Sequence, residues 1–148
     1  MAHEPIRITY TAAGGVVTSA DQTEILLLIR PEQDEVRLPK GHIDPGETPR
    51  ETALRETQEE SGYSDLEILA DLGTQLVVFS VDNKVVQRTE HYFLMRARSR
   101  QQIERPPVDA EQFFTIWVSW DEALEHITFE AEKLWIQKAR AALKELPR

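Results

Sequence analysis

From Ile6 to Thr18 and from Glu24 to Arg30 the chain is rich in apolar and β-branched residues. The polar stretch Ser19 to Thr23 between them predicts a turn, and the three segments together predict a hairpin. A charged loop follows at Pro31 to Arg37. After it comes Leu38-Pro39-Lys40-Gly41-His42-Ile43-Asp44-Pro45-Gly46, whose two Pro and two Gly exclude regular structure over most of its length. Thr48 then offers an N-cap, Pro49 suits a first helical position, Glu51 completes a capping box and Gly62 supplies a stop, which predicts a helix over Pro49–Ser61. Leu66–Val81 and Lys84–Arg98 are again apolar and β-branched and meet at Asp82-Asn83, predicting a second long hairpin. Pro106-Pro107 ends that region and Phe113–Trp120 reads as a further strand. Ser119 with Glu122 makes another capping box, and Phe129, Leu134, Trp135, Ala139, Ala142 and Leu143 follow a 3.6-residue period in a terminal helix. The pattern predicts an α/β (α+β) fold with a mixed sheet packed between helices. With no repeat or Gly/Ser linker to divide it, residues 1–148 read as a single domain.

The charges on the first helix are the next feature. Glu56, Glu59 and Glu60 stand at i, i+3 and i+4, so all three leave the helix from one face, while Ala53, Leu54 and Thr57 on the other side suit packing against a sheet. Three carboxylates at this spacing repel one another, more so when partly buried, unless cations neutralise them. Hard divalent cations take oxygen ligands, and Mg²⁺ binds through one or two carboxylates plus water and phosphate. A solvated acidic face is the competing reading of such a triplet.

Composition narrows the chemistry. The chain holds 17 Lys+Arg against 26 Asp+Glu, a formal net charge of -9, which disfavours binding to a nucleic-acid polymer or an anionic membrane. A small phosphorylated ligand stays open, because bound divalent ions can dominate the local field. Cys is 0, so disulfide and thiolate chemistry is excluded, which fits a cytoplasmic setting. Met1 to Tyr10 lacks the apolar core of a signal peptide, and the longest apolar run, Ile25–Ile29, is too short to span a bilayer.

The segment Gly41 to Tyr63 reads G-x5-E-x7-R-E-T-x-E-E-x-G-Y, with Gly41, Glu47, Arg55, Glu56, Glu59, Glu60 and Gly62 at its fixed positions. It closely resembles the Nudix box. Seven specified residues at background frequencies of roughly 5 to 7% each recur by chance about once in 10⁸ to 10⁹ start positions. Thr57 departs from the aliphatic residue more usual in the family, but is small enough to face a sheet. The resemblance implies a Nudix-type α/β/α sandwich whose loop–helix–loop holds Mg²⁺ (or Mn²⁺) against a diphosphate while water substitutes at phosphorus. On that pattern Glu56, Glu60 and the Gly41 carbonyl are metal ligands, and Glu59 binds metal directly or through water and is a catalytic candidate. Arg55 pairs with Glu47 to brace the loop against the helix. A further carboxylate often completes such sites, as metal ligand or as base; Glu111 is the candidate, with Glu104 and Asp109 as local rivals.

The run Leu-Pro-Lys-Gly-His-Ile-Asp-Pro-Gly-Glu followed by Arg-Glu-Thr-Gln-Glu-Glu is similar in wording to the diadenosine polyphosphate hydrolases. This implies a dinucleoside polyphosphate substrate, with nucleoside triphosphates or ADP-ribose as the alternative class and a non-catalytic nucleotide-binding module as a third. Lys40 suits a phosphate remote from the metals, with Arg30, Arg37, Lys84 or Arg88 extending the grip. His42 serves either phosphate or the loop. Tyr92, Phe79, Phe113, Phe114 and Trp117 form the pool for a base-stacking clamp, Tyr92 being the substrate-binding candidate. The expected assembly is a monomer or homodimer.

Overall fold

The structure, a computed structural model, describes residues 4–147. The ends of the expected 1–148 domain, including the start of Met1–Tyr10, lie outside the described residues. In chain order the elements are β1 (Ile6–Thr18), β2 (Glu24–Arg30), a 3₁₀ turn (Pro31–Gln33), β3 (Glu35–Arg37), β4 (Lys40–His42), α1 (Pro49–Ser61), β5 (Leu66–Val81), β6 (Lys84–Ala97), α2 (Pro107–Gln112), β7 (Phe114–Ser119), α3 (Trp120–His126) and α4 (Glu130–Glu145). The strands form one mixed seven-stranded sheet in the order β3-β2-β1-β6-β5, with β4 paired to β1 and β7 to β2. β1 and β6 run parallel and every other pair is antiparallel.

Strand alternation sends successive side chains to opposite faces, and here both faces are covered. One face of β1 and β6 gives Val16, Tyr92 and Leu94 to a core shared with Trp120, Ile127, Trp135 and Ile136 of the α3–α4 layer. The other gives Ala13, Val17, Phe93 and Met95 to a core with Ala53 of α1. The expected sandwich of helices around a mixed sheet is the fold observed.

Three local readings change. Pro31–Arg37 is a 3₁₀ turn and a short strand rather than an open loop, because Arg37 and Val36 find partners in Leu28 and Ile29. Lys40–His42, placed in a shaped loop, is the strand β4, seated antiparallel against Ala12–Gly14. Such a close seat needs glycine in β1: a Cβ on Gly14 would stand 2.7 Å from Lys40 Cβ and 2.9 Å from Tyr92 Cε2. The strand read as Phe113–Trp120 spans Phe114–Ser119. Ahead of it lies α2, which carries Pro at its start but no side-chain cap.

Helix α4 is fastened to the β3–β4 segment by polar contacts. Glu132, 2% exposed, accepts the Leu38 N–H through Oε1 at 2.7 Å. Thr128, just before the helix, accepts the Val36 N–H at 2.8 Å and donates its own N–H to the Val36 carbonyl at 2.9 Å. Loss of the Glu132 acceptor leaves the buried Leu38 N–H unpaired, at a cost of roughly 1 to 3 kcal/mol. Glu132→Ala is therefore expected to lower unfolding free energy in urea by about that amount, and Glu132→Gln, which keeps an acceptor oxygen, by less. Equal stability of the Ala variant and the parent would refute the tether.

Candidate active site

Helix α1 is set locally. The Thr48 hydroxyl accepts the Glu51 N–H at 3.1 Å, Glu51 Oε1 accepts the Thr48 N–H at 3.1 Å, and Gly62 ends the helix at φ 82. Ala53 and Thr57 face the sheet, which turns Glu56, Glu59 and Glu60 toward the β4 segment and α2. Arg55 is the hub of the acidic face. Its Nε and Nη2 donate to the two Glu47 carboxylate oxygens at 2.7 and 2.9 Å. Nη1 donates to Glu56 Oε1 at 2.9 Å and to Glu59 Oε2 at 3.3 Å, and Nη2 reaches the His42 carbonyl at 3.3 Å. The expected Arg55–Glu47 brace thus exists, and Arg55 also spans the two carboxylates beside it. Hydrogen bonding to Arg55 holds the Glu47 carboxyl down at about 2.

The remaining acids are in a different state. Glu60, 6% exposed, accepts the Lys40 N–H through Oε1 at 2.8 Å, and burial pushes its carboxyl up to about 8. Burial also raises Glu56, against the pull of Arg55. Asp109 on α2 is raised by burial and by the charge of Glu59, and in turn raises Glu56. Gly41 closes the other side: a Cβ there would overlap the Glu56 carboxylate, so only glycine leaves room for that carboxylate and the loop backbone together. Desolvated carboxylates with too few cations, beside a backbone carbonyl, are the donor chemistry of a hard divalent ion, and the set fits one. Among the described residues no three His, Asp or Glu side chains meet at ligating distance, consistent with Arg55 holding Glu56 and Glu59.

On the far side of β4 lies a cleft of about 650 Å³, lined by Arg30, Arg37, Lys40, His42 and Arg88 together with the carboxylates of Glu35, Glu130 and Glu132, with Tyr10, Val77, Phe79, Val81 and Phe129 as its apolar walls. Tyr10 stacks on His42 at 4.2 Å between ring centroids, and the Arg88 guanidinium lies 5.2 Å from the Phe79 ring centre. The Lys40 ammonium stands 3.9 Å from Glu132 Oε2, too far to be locked by a hydrogen bond. No box carboxylate lines the cleft; Gly41 is the box residue common to both regions.

Of the residues singled out from sequence, Arg30, Lys40 and His42 line this cleft together with Arg37 and Arg88, while Lys84 does not. One placement needs correcting. Tyr92 is 0% exposed and stacked on Trp135 at 4.8 Å, so it is a core residue with no face for a ligand. Glu111 is exposed on α2, and Asp109, two residues earlier and so on a different side of the helix, is the carboxylate whose charge raises Glu56 and which Glu59 raises in turn. From the stacking pool only Phe79 borders the cleft. Phe113 is buried, Phe114 does not line the cleft, and Trp117 donates to the Tyr63 hydroxyl. Tyr10 and Phe129 were missed. The parity of β1 marks Tyr10, two residues before Ala12 and on the same face; Phe129 looked like the start of an apolar helical stripe and is instead the cap residue of α4.

A family model described as the NUDIX domain matches residues 9–140. The chain belongs to the Nudix family. It is 31% identical over 135 residues to the rat bis(5'-nucleosyl)-tetraphosphatase (asymmetrical), covering 89% of this chain and 90% of that protein. It is 32% identical over 145 residues to an RNA pyrophosphohydrolase of Pseudomonas putida, covering 89% and 88%. Among solved structures, a C. elegans Ap4A hydrolase binary complex superposes with TM-score 0.73 at 23% identity, covering 93% of this chain and 99% of that one, a likeness of fold. The protein is accordingly a Nudix hydrolase, of a family that generally requires a divalent metal. Among the described residues no helix is long and apolar enough to cross a membrane.

The Glu60 carboxyl makes the metal-free protein pH-sensitive. Its value in the folded protein, about 8, lies above the ordinary 4.5, so the folded form keeps a proton that the unfolded chain releases. Its contribution is full below the ordinary value and is lost as pH rises toward 8. Glu56 acts in the same direction, whereas the depressed Glu47 titrates below this window. In chelator the melting temperature should fall from about pH 5 to about pH 8, and Glu60→Gln should flatten much of that slope. An unchanged slope in the variant would contradict the buried, proton-holding state.

Proposed function

We propose that residues 1–148 act as one cytoplasmic catalytic domain that hydrolyses dinucleoside polyphosphates, diadenosine tetraphosphate foremost, asymmetrically to ATP and AMP. The observation that carries this reading is the cleft beside Gly41, where four cations, Arg30, Arg37, Lys40 and Arg88, partly offset by Glu35, Glu130 and Glu132, lie between aromatic walls. A chain of phosphates with a base at its end needs that combination. The likeness to the rat tetraphosphatase supports it.

In this reading Glu56, Glu60 and the Gly41 carbonyl hold Mg²⁺ or Mn²⁺, with Glu59 and Asp109 beside them. Such an ion, when bound, polarises phosphate oxygens and eases ionisation of water. Glu59 is the box glutamate with the loosest ties, at 37% side-chain exposure and 3.3 Å or more from Arg55, and it takes the proton of the attacking water. The P–O–P bond breaks toward the ATP side while oxygen from water joins the phosphorus of AMP. Arg55 keeps its two bonds to Glu47, which hold the loop in place against the helix. Lys40 takes phosphate charge farther along the substrate.

Glu56→Gln and Glu60→Gln are expected to cut kcat by about 10²-fold or more with the fold intact, measured at saturating Mg²⁺. Asp109→Asn should lower turnover more than Glu111→Gln; the reverse order would restore Glu111. On a panel of diadenosine tetraphosphate, ADP-ribose, a nucleoside triphosphate and 5'-triphosphorylated RNA, diadenosine tetraphosphate should show the highest kcat/KM. Lys40→Ala should cost it about 10- to 150-fold, the equivalent of one charge-assisted contact, and ADP-ribose less. Faster turnover of any other member would overturn the substrate assignment.

A further inference from the structure

Glu90 is a charged residue of β6 with 0% exposure, and no step above uses it. A carboxylate taken out of water costs several kcal/mol before partners compensate, and apolar residues of similar size often serve a core as well. Its partners are specific. Oε2 accepts the Arg88 Nε–H at 2.8 Å, and Oε1 accepts the indole N–H of Trp135, itself 0% exposed on α4, also at 2.8 Å. Arg88 is held again at its far end, where Nη1 donates to the Tyr10 hydroxyl at 3.1 Å, and its plane is bordered by Phe79. Among the described residues no protein acceptor meets Nη2, and Arg88 lines the cleft.

We infer that Glu90 is a positioning residue that fixes the Arg88 guanidinium so that its free edge presents to a phosphate of the substrate, the Trp135 N–H occupying its other oxygen. The inference rests on the polyphosphate reading of the cleft and adds a specific demand. Two N–H donors approach Glu90 from two sides, so the position requires two acceptor oxygens. A glutamine offers one oxygen and one NH₂, and in either orientation sets a donor against a donor. Charge and geometry then pull in opposite directions. Removing a negative charge next to Arg88 should, by Coulomb attraction alone, tighten the binding of a polyanion; loss of positioning should weaken it.

The probe is inorganic tripolyphosphate, titrated calorimetrically into the full-length protein in chelator, with kcat/KM for diadenosine tetraphosphate measured alongside in Mg²⁺. Arg88→Ala and Glu90→Gln should each weaken tripolyphosphate binding about 10-fold, as expected for one charge-assisted hydrogen bond, and the double variant should be no weaker than Arg88→Ala. Trp135→Phe should bind nearly as the parent does. In Glu90→Gln/Trp135→Phe the competing donor is gone, the amide oxygen is free to turn to Arg88, and binding should return to within about 3-fold of the parent. Binding by Glu90→Gln as tight as or tighter than the parent, an additive loss in the double variant, or no recovery with Trp135→Phe would overturn the inference. If Arg88→Ala itself binds tripolyphosphate like the parent, the polyphosphate reading fails and this inference with it; a weak Arg88→Ala beside a normal Glu90→Gln sinks the inference alone. Should Glu90→Gln fail to fold, hydrogen exchange of the Arg88 Nε–H decides in the parent and in Trp135→Phe. Protection in both supports the clamp, and exchange at the rate of a free arginine side chain refutes it.

Discussion

Three residues of backbone hold this structure's two regions apart and in register. β4 lies antiparallel on β1, Lys40 opposite Gly14, Gly41 opposite Ala13 and His42 opposite Ala12. Residues opposite one another share a face and successive residues alternate. Lys40 and His42 therefore project into the cleft on the α4 side, while Gly41 presents its bare Cα to the Glu56 carboxylate on the α1 side. A slip of one residue would exchange the two and put lysine and histidine among the glutamates. The register is secured from both sides: Glu60 takes the Lys40 N–H, Glu132 takes the Leu38 N–H, and the Gly15 N–H reaches the Pro39 carbonyl at 3.1 Å.

That partition explains how an acidic chain can carry a cationic cleft. The net charge of -9 is unevenly placed. Glu56, Glu59, Glu60 and Asp109 gather on one side of β4, where Arg55 bonds Glu56 and Glu59, and Arg30, Arg37, Lys40 and Arg88 gather on the other among Glu35, Glu130 and Glu132. A sequence-wide sum cannot show a separation only a few residues of backbone thick. It correctly disfavours broad contact with a polyanion, and says nothing of one short polyphosphate laid across the seam.

What the sequence made legible follows from the range of the interactions. α1 was readable to its end residues because Thr48, Pro49, Glu51 and Gly62 act within one turn of the helix they bound. The box carboxylates were readable because their spacing is that of the helix itself. β4 was hidden, since a Pro-Gly segment becomes a strand only when β1 supplies glycines to lie against. α2 lacks a capping side chain, and so left Asp109 and Glu111 equal on paper; the helix separates them by its rotation per residue. Tyr92 was misjudged for a related reason. Its parity along β6 puts it on the cleft face with Arg88 and Glu90, but four residues beyond Arg88 it is already under α4.

The same face of β6 therefore passes within a few residues from ligand surface to core. Val86 and Leu94 are hydrophobic and buried, and between them stand Arg88, which lines the cleft, and Glu90 and Tyr92, which are buried beneath it. In a sheet whose only task was to pack against α4, apolar residues at 88 and 90 would serve better than an ion pair whose carboxylate is fully desolvated. Trp135 shows that the charge was accommodated rather than merely tolerated: it fills the core with its ring and gives its one N–H to Glu90. Glu132, three residues earlier on α4 and so on the same side of the helix, repeats the device toward Lys40 and Leu38. The terminal helix thus closes the core with its apolar stripe and with two neighbouring positions sets the cations of the cleft, so packing of α4 and shape of the binding surface cannot vary independently.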